Sequence, residues 1–283
     1  MYCLQPSNLF ILLFACRSVL TDKLKGLFKQ DKFVLGMIHL TGNDKMARVR
    51  EEHDIFVKEG LDGVIVENLH GSVDEVRVAL SALKKSPIPV GIRLNGVAPD
   101  VALQIAYGHN AAFVQLQHVA GKYVEAPEGI PDTYGPARQV FSKIPVIGGV
   151  HPEGFTPLPD SCLEQEVIVG KKRAEGIVVT GDKIGDETPM DRIVEFRQYL
   201  GKHPLIVGSG LTITNFYQRF LVADGGIVGS YCKVGGVLEN PVDQGRVHTI
   251  VQAVAQFRAN EALKMQEVLK NSEKETKLLS PTQ

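Results

Sequence analysis

Two neighbouring segments, PLIVGSGLTITN (204–215) and DGGIVGSYCK (224–233), decide the fold. Each is a short apolar run of strand composition that ends in a Gly-Ser pair, and one short helical stretch separates them. Glycine lets a backbone turn sharply and brings bare N–H groups close to a ligand, and a helix that begins after the turn adds the positive end of its dipole. Two such turns side by side predict an anion-binding cup, of the kind that parallel β/α barrels form after strands 7 and 8.

The rest of the chain repeats the same unit of a strand followed by a helix. Six further apolar runs precede the two segments: FVLGMIH (33–39), LDGVIVEN (61–68), IPVGIRLN (88–95), AAFVQLQ (111–117), IPVIGGV (144–150) and EGIVVTG (175–181). Helical patterns follow them at 44–58, 73–84, 99–107, 136–141, 161–172 and 190–199, with a last helix at 241–262. Runs this apolar are typical of parallel strands buried on both faces. Eight units therefore predict a single α/β domain, a closed (β/α)8 TIM barrel rather than an open doubly wound sheet.

The barrel is expected to span residues 33–262, followed by a polar C-terminal tail at 263–283 that frays. Residues 1–32 form an N-terminal extension that contains the apolar run LFILLFAC (9–16), which is far too short to cross a bilayer. The extension is consistent with a targeting segment, an imprecise start codon, or a helix that closes the bottom of the barrel. We expect a soluble protein without an integral membrane span, in the cytoplasm or in an organellar matrix.

Composition argues against several classes of protein. The 31 basic and 32 acidic residues are spread along the chain and give a net charge of -1, whereas a nucleic-acid-binding protein usually shows a basic excess on one face. The four cysteines form no CxxC pair, and no set of candidate ligands has the spacing of a metal site. We therefore expect no nucleic acid, no metal and no cofactor.

Barrel enzymes carry their reactive groups at the C-terminal ends of the strands, and polar residues cluster there in this chain. Such groups are costly to bury one by one, so the clustering predicts a polar pocket. Glu67 or Asp182 is the expected general base, with His39 as acid or electrophile. The expected substrate-binding residues are Asn68, Arg93, Asn95, Gln117 and Thr180. The expected phosphate-binding residues are Gly208, Ser209, Gly210, Gly229, Ser230 and Lys233.

Each catalytic candidate also has a structural interpretation, which the sequence leaves open. Glu67 can pair with Arg93 on the neighbouring strand, and His39 can cap the barrel by hydrogen-bonding a loop. Asp182 can cap a turn in GDKIGDET, which is the commoner use of Asp in such a loop. His151, in the loop after the fifth strand, is a further candidate of the same kind.

These segments resemble the BtpA family, also called the BtpA/SgcQ family. The matching stretches are GMIHL (36–40), DGVIVEN (62–68), residues 121–135, GIVVTG (176–181), LIVGSGLTITN (205–215) and DGGIVGSYCKVGGVLENPVDQGRV (224–247). They extend over residues 33–257, and the last is the most specific, because GSxxK followed by NPVDxxRV is not a generic phosphate turn. The resemblance implies a barrel of the ribulose-phosphate-binding type. It also implies a link to photosystem I accumulation, although other members occur in organisms without photosynthesis.

The sequence departs from the family's pattern at two places. The loop after His39 is short, Leu40-Thr41-Gly42, where many members carry a longer Pro-rich segment. Strand four has Gln115 and Gln117 where the family leads us to expect Arg and Asn. The loss of a positive charge and of a versatile polar group there predicts an altered substrate choice or a reduced activity.

Two functional hypotheses follow. The first is a barrel that binds a phosphorylated small molecule, a sugar phosphate or a nucleotide-like compound, and acts on it by acid/base chemistry as an isomerase, a lyase or a nucleosidase-like hydrolase. The second is a non-catalytic assembly or biogenesis factor of the kind needed for photosystem I accumulation, with a partner protein. The sequence alone does not decide between them, nor whether the protein is a homo-oligomer.

Overall fold

The computed structural model describes residues 20–183 and 185–278, and at its centre eight parallel strands form a closed barrel in chain order. The strands are β1 (Phe33–His39), β2 (Gly63–Glu67), β3 (Val90–Arg93), β4 (Val114–Leu116), β5 (Val146–Gly149), β6 (Gly176–Val179), β7 (Leu205–Val207) and β8 (Gly225–Val228). Pairing of β8 with β1 closes the ring. The predicted TIM barrel is confirmed.

Helices surround the barrel and connect the strands. They are α1 (Asp22–Phe28), α2 (Lys45–Glu59), α3 (Val73–Ala82), α4 (Pro99–Gly108), α5 (Tyr134–Val140), α6 (Leu163–Arg173), α7 (Met190–Leu200), α8 (Phe216–Val222) and α9 (Gln244–Leu278). Two short 3-10 turns, Ser230–Cys232 and Val234–Gly236, follow β8. Helix α9 continues well beyond its predicted end at residue 262, so the segment that we expected to fray is helical as far as Leu278.

The interior of the barrel is filled by apolar side chains that almost every strand contributes. Phe33 and Phe113 are the largest of these, and both are fully buried. Glycines on the adjacent strands make room for the two rings: a Cβ on Gly91 would lie 2.5 Å from the Phe113 ring, and one on Gly225 would lie 2.6 Å from the Phe33 ring. A second, larger apolar layer packs between the strands and the helices. The barrel is therefore a packed core that leaves its strand ends free to form a site.

Helix α1 closes the N-terminal end of this barrel. Its Leu24 and Phe28 side chains are buried, and the Phe28 ring stacks on Phe33 at 4.3 Å between centroids and meets the edge of Phe113 at 5.4 Å. Lys23 binds Glu175 at 2.7 Å and ties the helix to the loop before β6. Residues 20–28 are thus part of the barrel, ahead of the expected boundary at residue 33. The apolar run at 9–16 lies outside the described residues.

We expect Phe28→Ala to lower the free energy of unfolding by about 3–5 kcal/mol, because it removes a ring from between two buried rings. Urea denaturation followed by circular dichroism measures this change. Lys25→Ala, on the exposed side of the same helix, is the control and should stay within about 0.5 kcal/mol of the wild type. If both variants are equally stable, packing of α1 against the N-terminal end of the barrel does not stabilise the fold.

Candidate active site

A cavity of about 550 Å³ opens at the C-terminal ends of the strands. Strand-end residues that the sequence singled out line it: His39, Glu67, Arg93, Asn95, Gln117, Gly208, Ser209, Gly210, Gly229 and Ser230. Parallel strands in register bring these residues together, since His39 pairs with Glu67, and Glu67 pairs with Arg93. The predicted polar pocket therefore exists, and most of the residues assigned to it lie in its wall.

Glu67 is the polar centre of the cavity. Its Oε2 atom lies 3.3 Å from His39 Nε2, and its Oε1 atom accepts a hydrogen bond of 2.9 Å from the Asn95 amide and lies 3.3 Å from Arg93 Nε. Gln117 in turn donates to Asn95 Oδ1 at 3.0 Å and orients that amide. The carboxylate is thus surrounded by groups that can donate hydrogen bonds from the ends of the two neighbouring strands, β1 and β3.

These contacts set the ionisation of Glu67. Burial opposes the charged form, but hydrogen bonding by His39, the charge of Arg93 and the Asn95 hydrogen bond outweigh it and lower the pKa of Glu67 below its usual value. At neutral pH the side chain is therefore a carboxylate, held in an enclosed site and able to accept a proton.

Glu153, in the loop after β5, is a second carboxyl group in the cavity that sequence reasoning missed. It is 7% exposed, and its Oε1 atom lies 3.7 Å from Arg93 Nη1. Its backbone N–H donates to Thr180 Oγ1 at 2.7 Å, which anchors the loop. Burial raises the pKa of Glu153, with Arg93 opposing the shift and the charge of Glu67 adding to it. A signal was present in the sequence, since Glu153 follows the candidate His151 by two positions in HPEG.

The glycine-rich turns after β7 and β8, where the sequence predicts an anion-binding cup, also line the cavity. Gly210 has a φ of 61°, and a Cβ there would lie 2.3 Å from the Glu187 Cα atom, so only glycine fits. The backbone N–H groups of Ser209, Gly210 and Ser230 donate to no acceptor among the described residues. Unpaired N–H groups on two neighbouring turns are suited to binding an anion.

Lys233 does not belong to this cup, in contrast to our expectation. Its side chain is fully buried, and its Nζ atom donates to Glu52 Oε2 at 2.7 Å. Arg246 is the basic residue found in this part of the cavity wall: it donates to the Tyr231 carbonyl at 3.1 Å and lies over the Tyr231 ring at 5.6 Å. It sits in the first part of α9, within the family segment that ends in GRV, which was the available signal.

Three other predicted residues lie behind or outside the cavity wall. The Asp182 side chain is 84% exposed and pairs with Arg192 at 2.8 Å, so it is not in position to act as the base. Asn68 bonds the backbone of Asn95 at 2.7 and 3.1 Å, and Thr180 holds the Glu153 loop, so both position other groups. These side chains follow the strand ends, where the alternation of inward and outward side chains no longer holds. The path of each loop turns them away from the cavity.

His151 is a structural histidine in this protein. Its Nε2 atom lies 2.6 Å from Glu166 Oε2 and 2.9 Å from Ser161 Oγ, and its backbone carbonyl accepts a hydrogen bond of 2.6 Å from Arg192. Together these contacts hold the start of the Glu153 loop. Among residues 20–183 and 185–278 there is no group of three or more His, Cys, Asp or Glu side chains that could hold a metal ion.

Fold and site together define the class of this protein: a TIM barrel whose cavity holds a cluster of titratable side chains, His39, Glu67, Arg93 and Glu153 (the acid/base cluster), and glycine-rich turns after β7 and β8. The chain belongs to the BtpA family, whose family model matches residues 30–256. None of the helices in the described part of the chain combines the length and the hydrophobicity that a membrane span requires.

Relatives in sequence span most of the chain. An uncharacterised protein of Pyrococcus furiosus is 29% identical over 220 residues, which cover 70% of this chain and 80% of that protein. An uncharacterised mitochondrial protein of Caenorhabditis elegans is 27% identical and covers 78% of this chain and 92% of its own length. The photosystem I biogenesis protein BtpA of Synechocystis is 24% identical, with coverages of 81% and 90%.

Solved structures share the barrel at low identity. Tryptophan synthase of M. tuberculosis has a TM-score of 0.60 at 14% identity, covering 84% of this chain and 99% of that chain. Phosphoribosyl anthranilate isomerase of Thermus thermophilus has a TM-score of 0.55 at 15% identity, with coverages of 80% and 100%. (S)-3-O-geranylgeranylglyceryl phosphate synthase of Thermoplasma acidophilum has a TM-score of 0.55 at 18% identity, with coverages of 84% and 98%. At these identities the likeness shows the fold alone.

We expect Lys233→Ala to destabilise the protein by roughly 3–5 kcal/mol, because it removes the buried partner of Glu52 Oε2 and leaves the carboxylate only the contacts of its Oε1 atom with Arg48 and the Val242 N–H. The double variant Lys233→Met with Glu52→Gln should recover part of this loss, since it removes both charges. Urea denaturation measures both effects. Arg246→Ala is the control, because Arg246 is partly exposed and has no buried ion pair to break. A Lys233→Ala variant as stable as the wild type would contradict the structural role.

We expect Glu153→Gln to gain stability relative to the wild type as the pH rises. The folded protein raises the pKa of Glu153, so the stability that its protonation contributes is present below the unfolded pKa and is lost as pH rises through the folded pKa. Gln cannot ionise and does not suffer this loss. The difference in free energy of unfolding between the two proteins, measured by urea denaturation between about pH 4 and pH 8, should grow with pH. A difference that does not change would contradict the burial of an ionisable Glu153.

Proposed function

We propose that the cavity binds a phosphorylated small molecule, a sugar phosphate or a nucleotide-like compound, and acts on it by acid/base chemistry with Glu67 as the base. One observation carries this proposal: an enclosed carboxylate of lowered pKa and a cup of unsatisfied backbone N–H groups line the same cavity. A phosphate held in the cup would fix the reacting atoms of the substrate over the carboxylate.

Each group has a role in this proposal. The phosphate is bound by the turns at Ser209–Gly210 and Gly229–Ser230, with the Arg246 guanidinium contributing positive charge. A Cβ on Gly229 would lie 3.9 Å from His39 Cε1, so the cup is close to the acid/base cluster. His39 then polarises the substrate, while Arg93 and Asn95 orient it against Glu67.

The neighbours in fold support this ligand class. The names of two of them, a phosphoribosyl anthranilate isomerase and a synthase solved in complex with sn-glycerol-1-phosphate, refer to phosphorylated compounds. Isomerase, lyase and nucleosidase-like hydrolase activities are all consistent with the cluster, because each requires a base and a proton donor. The cytoplasm or an organellar matrix is the proposed location, and the mitochondrial relative supports an organellar form.

A second candidate function is a biogenesis or assembly factor that uses the barrel to recognise a partner protein. The observation that favours it is the relative from Synechocystis, which is named for photosystem I biogenesis. The two glutamines of strand four also favour it, because Gln115 and Gln117 are poor acid/base groups. This function predicts that binding of the partner does not depend on the residues of the cavity.

A thermal-shift panel of phosphate, sugar phosphates, phosphoribosyl compounds and nucleotides tests the first proposal. A compound present at about 100 times its Kd should add roughly 2.7 kcal/mol to the free energy of unfolding, or about 5–10 °C in Tm for a chain of this size. We expect Gly229→Asp to abolish the shift, because it places a carboxylate in the cup. Gly229→Ala is the matched control and should keep the shift, since a Cβ there has no neighbour closer than 3.8 Å.

If Gly229→Asp leaves the thermal shift intact, the ligand does not bind in the cup. If no compound in the panel raises the Tm, the proposed ligand class is wrong and the assembly function is favoured. Isolation of proteins bound to the wild type and to Glu67→Gln then tests that function, which predicts the same partner for both.

A further inference from the structure

One guanidinium lies between two buried carboxyl groups in the cavity. Arg93 Nε is 3.3 Å from Glu67 Oε1, and Arg93 Nη1 is 3.7 Å from Glu153 Oε1. Both glutamates are more than nine-tenths buried. Glu67 is the last residue of β2 and Glu153 lies in the loop after β5, and both side chains line the same cavity.

We infer that Glu153 is a catalytic proton donor that works with Glu67 as the base, so that one turnover removes a proton from the substrate and delivers another. This inference rests on the proposed function, because it deepens the chemistry of the same site. Glu153 belongs to no motif singled out in the sequence, and its position in the cavity is what assigns the role.

Burial and the polar neighbours of each carboxyl group together decide which one keeps a proton. Glu67 has His39, Asn95 and Arg93 around it, all of which favour a carboxylate. Glu153 has only the longer Arg93 contact among these, and its Oε2 atom is buried with no hydrogen-bond partner in the described part of the chain. Two carboxylates this close to one guanidinium would repel each other, so a single proton is most stable on Glu153.

Burial favours the protonated form of Glu153, and the groups that face this side chain act in both directions. Arg93 on β3, the Gly185 backbone N–H and the Ser209 hydroxyl favour its carboxylate form, whereas the charge of Glu67 on β2 adds to the effect of burial and favours the protonated form. Glu187 also lines the cavity, but it pairs with Arg219 and is 62% exposed. The unpartnered Oε2 atom of Glu153 is therefore the hydroxyl that can donate to a substrate atom.

The two glutamates would together enolise a phosphorylated compound that carries a carbonyl group next to a C–H bond, and the bonds and charges of this step balance. Glu67 forms an O–H bond with the proton of the C–H bond, and that electron pair becomes the new C=C bond. The carbonyl π pair moves onto oxygen, which takes the proton of Glu153. The product is an enediol or enol, Glu67 is protonated and Glu153 is ionised, so the net charge of the pair does not change.

The protonation states are tested by 13C NMR of the protein labelled with [13Cδ]-glutamate and titrated from about pH 4 to about pH 9. The resonance that disappears in Glu153→Gln should titrate at a higher pH than the one that disappears in Glu67→Gln. In Glu67→Gln the Glu153 midpoint should fall by about one pH unit, because the neighbouring negative charge is gone. Glu51→Gln, at an exposed position on α2, is the control and should change neither midpoint. A Glu153 midpoint at or below that of Glu67 overturns the inference.

The catalytic role is tested by exchange of substrate C–H protons in D2O. The probes are the carbonyl-bearing sugar phosphates that shift the Tm of the wild type. We expect Glu153→Gln to slow exchange by about 10²–10⁴-fold and to remove the basic limb of the pH–rate profile, while the thermal shift with the same probe is retained. If Glu153 had only a structural role, Glu153→Gln would change the exchange rate but leave the basic limb of the pH–rate profile in place.

Exchange by Glu153→Gln at the wild-type rate, or no exchange by the wild type with a probe that binds, overturns the inference. These failures differ from failure of the proposed function, in which no phosphorylated probe shifts the Tm at all. In that case the NMR titration still decides whether Glu153 holds the proton.

Discussion

Closure of eight short parallel strands is the constraint on which the site depends. Strand register places His39 beside Glu67 and Glu67 beside Arg93, so residues far apart in sequence become neighbours at one end of the barrel. Because the barrel interior below them is packed with apolar side chains, these polar groups must satisfy one another or a ligand. The acid/base cluster is thus a consequence of where the strands end.

Different contacts fix the segment after β8, which forms part of the cup, and the Glu153 loop, which forms part of the acid/base cluster. Burial of the Lys233–Glu52 pair, together with the bond from the Val242 N–H to Glu52 Oε1 at 3.2 Å, ties the segment after β8 to helix α2. The Glu153 loop is held by Thr180 and by the contacts of His151. Rigid elements therefore support both halves of the cavity, which is what positioning a substrate between them requires.

Membership of the BtpA family shows which part of the chain its relatives share, whereas similarity to solved barrels shows only the architecture. Relatives from Pyrococcus furiosus, Caenorhabditis elegans and Synechocystis cover most of this chain, so the whole barrel is the unit that the family has in common. Barrels at 14–18% identity share the architecture, but one architecture serves many reactions. The residues of the cavity are what any assignment of a reaction must rest on.

The sequence by itself determined the barrel, the order of its strands and the position of the two glycine-rich turns. Apolar runs with a fixed order of strand and helix have few packed arrangements, and glycines at positive φ such as Gly210 identify the turn that they permit. The sequence also predicted that His39, Glu67, Arg93 and Asn95 share a site, because the C-terminal ends of all strands in a parallel barrel lie at one end of the barrel.

Tertiary structure alone decided which loop residues reach the cavity. Asp182 and Lys233 have the right chemistry, but loop direction turns Asp182 to solvent, and Lys233 is drawn into a buried ion pair with Glu52. Glu153 and Arg246 enter the cavity from a loop and from the start of a helix, where no periodicity predicts the orientation of a side chain. Local pattern specifies strands and turns, whereas the orientation of a loop depends on contacts with distant parts of the chain.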